Sequence, residues 1–222
     1  PYAYCENNPM NAIDKNGEDS YYLTDGTYIC DNLKETDHIY VVSNYNYLKQ
    51  LPNGNRVVEF YGKQSLEEAK LSANAFSNIF TNVLKRNGFD VDKLENKSIA
   101  INVLDNNTKG DGPHYRCIDF YNTTSYPWEN APIAAISNNK ITVNVVLSNQ
   151  EHRNYLSTIS NVINVLGVHE YTGHGILKLG SDQHWQILKM QRAHPSWNNT
   201  TKKLKDLYLK VEKEIPEEYV KH

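Results

Sequence analysis

The chain has 222 residues, of which 23 are basic and 26 acidic, for a formal net charge of −3, and its mean hydropathy is −0.66. That length holds one medium domain, or a domain with an appendage, around a sizeable core. The mild acidity lacks the basic footprint of a nucleic-acid binder, and there is no 18-residue apolar run to span a membrane. The opening PYAYCENNPM has neither the basic start nor the apolar stretch of a signal peptide. Three scattered cysteines (Cys5, Cys30, Cys117) do not suggest a disulfide framework and are read as ordinary buried thiols. Sixteen tyrosines concentrate in the first half, where strands are expected.

Residues 1–19 are turn-rich and read as an irregular linker or a strap laid on another domain. Residues 20–62 read as a β-rich lead-in, either a separate module or part of the main domain. Within it Tyr21–Thr24 and Thr27–Ile29 flank an Asp25-Gly26 turn of the two-residue I′ kind. Strands His38–Val42 and Arg56–Tyr61 follow, separated by the turn Pro52-Asn53-Gly54. The main domain is expected over 63–222. Ser65-Leu66-Glu67-Glu68 reads as a capping box opening a helix, with Ala69, Ala73, Phe76, Phe80, Val83 and Leu84 on its apolar face and Gly88 ending it. Strands are then expected at Ile99–Leu104, Tyr115–Tyr121, Ile133–Ile136 and Ile141–Leu147, with loops at Asp105–His114 and Asn122–Asn130. A long helix from Arg153 to about His174 buries Leu156, Ile159, Val162, Ile163 and Leu166, and two more helices follow at Gln183–Ala193 and Thr200–Glu214. The fold class is therefore α+β.

The chemistry concentrates in His169-Glu170-Tyr171-Thr172-Gly173-His174. Two imidazoles around a carboxylate are the grammar of a zinc hydrolase, in which the histidines hold Zn²⁺ and the glutamate works on the water. The common helical version spaces its histidines at i and i+4. At 100° per residue, i+4 lands about 40° around an α-helix from i, whereas i+5 lands about 140° away. His169 and His174 can share an ion only if the helix is overwound, bulged or ended between them, and Gly173 is the residue expected to permit this. A catalytic zinc takes three protein ligands and leaves one position open. The downstream candidates for the third are Asp182, His184, His194 and the C-terminal glutamates. His184 is preferred, because it lies beyond Gly180, where the chain can fold back, and because neutral imidazole is the commoner zinc ligand. Glu170 would take a proton from zinc-bound water and deliver it to the leaving amine. His194 could instead donate a hydrogen bond to a transition state, as could Tyr155, Tyr171 or Tyr208, although His194-Pro195-Ser196-Trp197 also reads as a plain helix break over a packed Trp197. The competing structural reading is a surface His-Glu ion pair, since eight histidines make chance pairs cheap. Gly173, the buried stripe leading into the motif and a histidine within reach all favour the metal.

Two resemblances extend this reading. Tyr2, Tyr4, Asn7, Asn8, Pro9, Asp14 and Gly17 resemble the end of the RHS repeat-associated core, the junction after which variable toxin domains begin. Lys15 stands where that family usually has Pro. His169–Gly175, His184, His194-Pro195-Ser196-Trp197 and Thr200-Thr201 resemble the metallopeptidase-like toxin domains that follow such cores, over about residues 160–210. The five-residue histidine spacing also resembles that of dipeptidyl peptidase III, whose third ligand is a distant Glu. These likenesses imply a zincin-like metallopeptidase domain with zinc on His169, His174 and His184. They also imply a polymorphic-toxin effector delivered from a bacterial cell by its RHS shell, and a cognate immunity protein. The expected activity is amide hydrolysis of a peptide, protein or cell-wall peptide, with strand Ile141–Leu147 lining the cleft. The alternatives are a metal-dependent nuclease toxin, which the charge disfavours, and a non-catalytic binding module tied together by metal.

Overall fold

A computed structural model of the chain describes residues 2–5, 18–50, 56–91, 100–105, 134–137, 140–145, 154–180 and 183–214. The expected strand Tyr115–Tyr121, the turn Pro52-Asn53-Gly54 and the loop Asn122–Asn130 lie outside these residues. Among the described residues the architecture is mixed α+β, with three small sheets and several helices.

Strands β1 (Tyr2–Cys5), β5 (Asn44–Gln50) and β6 (Arg56–Tyr61) form an antiparallel sheet in the order β1-β6-β5. Part of the segment read as an irregular strap thus lies along β6, with Tyr2 opposite Glu59. A second, mixed sheet has the order β3-β2-β4-β7, from β2 (Glu18–Leu23), β3 (Tyr28–Glu35), β4 (Ile39–Val42) and β7 (Gln64–Ser65). Period-two alternation gives this sheet two buried faces. Tyr22, Ile39 and Val41 enter the large core shared with the helices, while Tyr21 and Val42 pack with Cys30, Val58 and Phe60 in a smaller one. Strands β2 and β4 of the lead-in therefore share the larger core with the helices.

The β2–β3 connection differs from the two-residue turn expected. Thr24-Asp25-Gly26 is a three-residue loop, with Leu23 N–H donating to Thr27 O and Gly26 N–H to Leu23 O at 2.8 and 2.9 Å. Gly26 takes the left-handed conformation (φ 83°), as the three-residue pattern requires. A Cβ there would also come within 2.4 Å of the Ala75 carbonyl, because the hairpin tip seats on the following helix. Cys30, expected as a free thiol, is disulfide-bonded; an odd count of three leaves room for one pair. Its partner lies outside the described side chains.

Helix α1 (Ala73–Arg86) starts later than the capping box implied. Its cap is Ser72, whose Oγ accepts from Ala75 N–H at 3.2 Å. Ser65 is held in the β4–β7 ladder opposite Tyr40 and makes only a single turn before the helix. Gly88 (φ 86°) ends α1 as expected. A third sheet has the order β8-β10-β9, from β8 (Ala100–Asp105), β9 (Ala134–Ser137) and β10 (Lys140–Val145), with β8 parallel and β9 antiparallel to β10. Being central, β10 has both edges taken. The strand expected to line the cleft therefore has no free edge over its described part for an extended peptide to pair with, whereas β9 lies at the sheet's edge among the described residues and packs against the motif-bearing helix.

That helix is tethered at its start by the sheet. It begins as α2 (Ile159–Val162), with Thr158 as N-cap accepting from Asn161 N–H at 3.1 Å. From the β3–β4 connection, the Asp37 carboxylate accepts from Ser160 N–H at 3.1 and 3.2 Å, and its carbonyl accepts from Ile159 N–H at 3.1 Å. Asp37 is itself left-handed (φ 58°), a conformation Asp and Asn tolerate better than most residues. An anion at a helix N-terminus also complements the helix dipole. Replacing Asp37 by Ala removes both the acceptor and the tolerance. We expect Asp37→Ala to lower stability by about 1–2 kcal/mol and Asp37→Asn to lose less than half of that, as measured by urea unfolding.

Candidate metal centre

Beyond Val162 the helix changes its winding. Ile163–Ile176 is a π-helix of 14 residues. Its wide turn shows in the Leu177 N–H to Thr172 O bond at 2.9 Å and in Thr172 Oγ1 donating to Gly167 O at 2.9 Å, both spanning five residues. Such a turn places residues five apart on one face. His169 and His174 consequently meet edge to face, their ring centroids 5.0 Å apart. The sequence reading left open an overwound, a bulged or an ended helix between the two histidines, with the departure at Thr172-Gly173. The helix widens, as a bulge does, but over the whole stretch from Ile163 onward. Gly173 has no unusual backbone angle, since only Gly26, Gly62 and Gly88 have positive φ among the described glycines. Its value is small size. A Cβ there would come within 2.9 Å of the buried Ile187 side chain.

Ile187 belongs to α3 (His184–Ala193), the helix whose first residue is His184. The Nε2 atoms of His174 and His184 are 3.1 Å apart, and the His184 ring lies 5.3 Å from that of His169 and 4.8 Å from that of His174. One ligand atom from each of the three lies within 4.8 Å of the others, the one such group among the described residues. Glu170 is buried beside His169. Among the described residues, His194 does not join them. His194 uses Nδ1 on Ser196, 2.9 Å from Oγ and accepting from N–H at 3.2 Å, and so caps the short 3₁₀ turn Pro195–Trp197. Asp182 and the C-terminal glutamates lie outside the described residues or side chains.

The tyrosines also have other occupations. Tyr155 precedes α2 with the Lys203 ammonium 5.4 Å from its ring centroid, and Tyr171 packs edge-on against Phe89 at 5.6 Å. Tyr208, on α4 (Lys202–Glu214), is buried and accepts a 2.6 Å hydrogen bond from Gln191. Burial keeps its hydroxyl protonated, and the Glu170 charge nearby pushes the same way. The Trp197 ring lies 6.0 Å from that of Tyr208, and Thr201 clasps Asn161 through two 2.9 Å hydrogen bonds. The segments that carry the resemblance downstream of His184 thus act as packing and caps.

The ring protons follow from what each Nδ1 meets. His174 Nδ1 lies 2.7 Å from the Leu179 carbonyl, which can only accept. His174 therefore carries its proton on Nδ1, leaving the Nε2 lone pair facing His184. His169 Nδ1 is 3.1 Å from Gln191 Oε1. Burial, with His174 and His184 adding to it, holds the His169 imidazole neutral and pushes its pKa down to about 3. Neutral imidazoles are what a divalent ion requires. The 3.1 Å between two of the nitrogens is close to the about 3.3 Å that ligands of one tetrahedral first-row ion keep. The residues present fit such an ion. Sequence reasoning missed Gln191 and Asn164, both fully buried. The available signal was Gln191 falling in register with the apolar Ile187 and Leu188 on α3, where a polar residue is out of place.

Gly173 lets α3 approach closely enough to bring His184 to His174. We expect Gly173→Ala to cost about 1–3 kcal/mol by overpacking and to weaken metal binding as well, measured by thermal unfolding and by zinc competition with a chelator. No protein-family model matches this chain, and no curated protein and no solved structure matches it either.

Proposed function

We propose that this chain is a zincin-like, zinc-dependent hydrolase of amide bonds, carried as the toxin end of an RHS protein. One observation carries the reading: three imidazoles converge on one point, with Glu170 buried next to the first of them. Zinc is the ion of choice because three neutral imidazoles suit it and leave a tetrahedral position open. Once bound, it would polarise a scissile carbonyl and acidify a water. His169, His174 and His184 would hold it, two of them pinned through Nδ1 by Gln191 and by the Leu179 carbonyl. Glu170 would accept the water's proton and return it to the leaving nitrogen. Edge strand β9, against the π-helix, is the described backbone best placed to add an extended peptide.

The disulfide at Cys30 suits a chain that works outside a reducing cytosol. An RHS shell and an immunity protein that occludes the cleft belong to the same proposal, on the strength of the N-terminal likeness. A second reading, a metal that only ties the helices together, is favoured by how little of His169 and His184 is exposed, 7% and 6%.

Glu170→Gln separates the two readings. We expect the variant to keep its full complement of zinc while peptide hydrolysis and toxicity in the producing cell fall by roughly a hundred- to ten-thousand-fold. Undiminished activity in the variant would sink the general-base assignment. A wild-type chain that purifies with zinc and is inert on peptides, proteins and cell-wall fragments would favour the structural tie.

A further inference from the structure

Asn164, His169 and His174 recur at intervals of five and therefore line one face of the π-helix. The first of them is not a ligand. Asn164 and Gln191 clasp each other across the gap between the π-helix and α3, and both are fully buried. Gln191 Nε2 donates to the Asn164 backbone carbonyl at 3.0 Å and to Asn164 Oδ1 at 3.0 Å. Asn164 Nδ2 donates in return to the Gln191 backbone carbonyl at 3.1 Å and to Ser196 Oγ at 3.3 Å. A backbone carbonyl has no proton to give, so each of these two carbonyls must face an NH₂ group, and neither amide can be flipped. The NH₂ end of Gln191 is thereby committed to Asn164 and to the Tyr208 hydroxyl at 2.6 Å. Its oxygen is left to face His169 Nδ1 at 3.1 Å, where it can only accept.

We propose that Gln191 is a positioning residue that locks His169 in the Nδ1–H tautomer, keeps its Nε2 lone pair turned to the ion and so sets the affinity of the metal centre. The lock is neutral throughout, since Gln191 is an amide and its counterpart on His174 is a carbonyl. Neutral partners on Nδ1, unlike carboxylates, leave the ion's charge undiminished, which favours an electrophilic site over a maximally tight one. The inference rests on the metal-centre reading above, but its tautomer component can be tested with no metal present.

The experiment uses the ¹⁵N-labelled, metal-stripped chain, with histidine ring nitrogens read by NMR and zinc affinity by competition with a chromogenic chelator. In the wild type, His169 and His174 should both be Nδ1–H. In Gln191→Met, which keeps the volume and removes the acceptor, His169 alone should leave that form, and zinc affinity should fall about 10–100-fold. Tyr208→Phe should change affinity less than about threefold, because the Asn164 carbonyl still holds the amide in place. A wild-type His169 protonated on Nε2 overturns the proposal, and so does a Gln191→Met chain that binds zinc as tightly as wild type. If Gln191→Met fails to fold, the wild-type tautomer still decides. If the wild type shows the Nδ1–H form but binds no zinc, the metal-centre reading fails while Gln191's role in orienting the ring stands.

Discussion

Widening one helix by a residue per turn is what allows this chain to bring chemistry to a point. In an α-helix, His169 and His174 would face about 140° apart. In the π-helix Ile163–Ile176 their rings meet edge to face, and Asn164 joins the same face. π-Winding is rare and mostly confined to single turns, so a run of this length needs holding at both ends. Asp37, reaching from the sheet to the N–H groups that open α2, holds the start. The Asn164–Gln191 clasp holds the face that carries the histidines, and the Leu179 carbonyl, reached through the turn after Ile176, holds His174.

The rest of the fold serves as a rigid mount for that segment. Sheet β3-β2-β4-β7 contributes Tyr22, Ile39 and Val41 to the core against which the helices pack. The same sheet presents Asp37, and buried Asp19 steadies the connection by accepting from Thr36 Oγ1, from His38 N–H and from Asn32 Nδ2. On the other side α3 approaches the π-helix at Gly173, where a side chain would not fit, and delivers His184 and Gln191 from one helix. One contact surface thus supplies both a ligand and the group that orients another ligand. Among the described residues the site is made of three imidazoles, with the acidic group of the motif, Glu170, buried beside the first of them.

Where sequence reasoning went astray, the cause was a partner remote in the chain. Ser65-Leu66-Glu67-Glu68 has every local mark of a helix start, but the β4–β7 ladder claims Ser65 and passes the cap to Ser72. The alternation of Ile141, Val143 and Val145 correctly signalled a strand, yet said nothing of the two neighbours that close both its edges. Cys30 finds a disulfide partner that spacing alone does not reveal. His194 has the chemistry of a ligand but meets Ser196 two residues on before any ion can claim it.

By itself the sequence determined the α+β class, most of the described strands, α1 from its apolar face to its closing glycine, and the three histidines, 169, 174 and 184, that gather at one point. These are local matters of period, turn chemistry and side-chain type, and the five-residue spacing even demanded that the helix depart from α geometry. Tertiary structure alone decided the form of that departure, a long π-helix from Ile163 where an overwound, bulged or ended helix had all been open, and the roles of Asn164 and Gln191. Winding depends on which groups satisfy the backbone and side chains across the interface. Those groups come from residues far apart in sequence, so no window of the chain contains the answer.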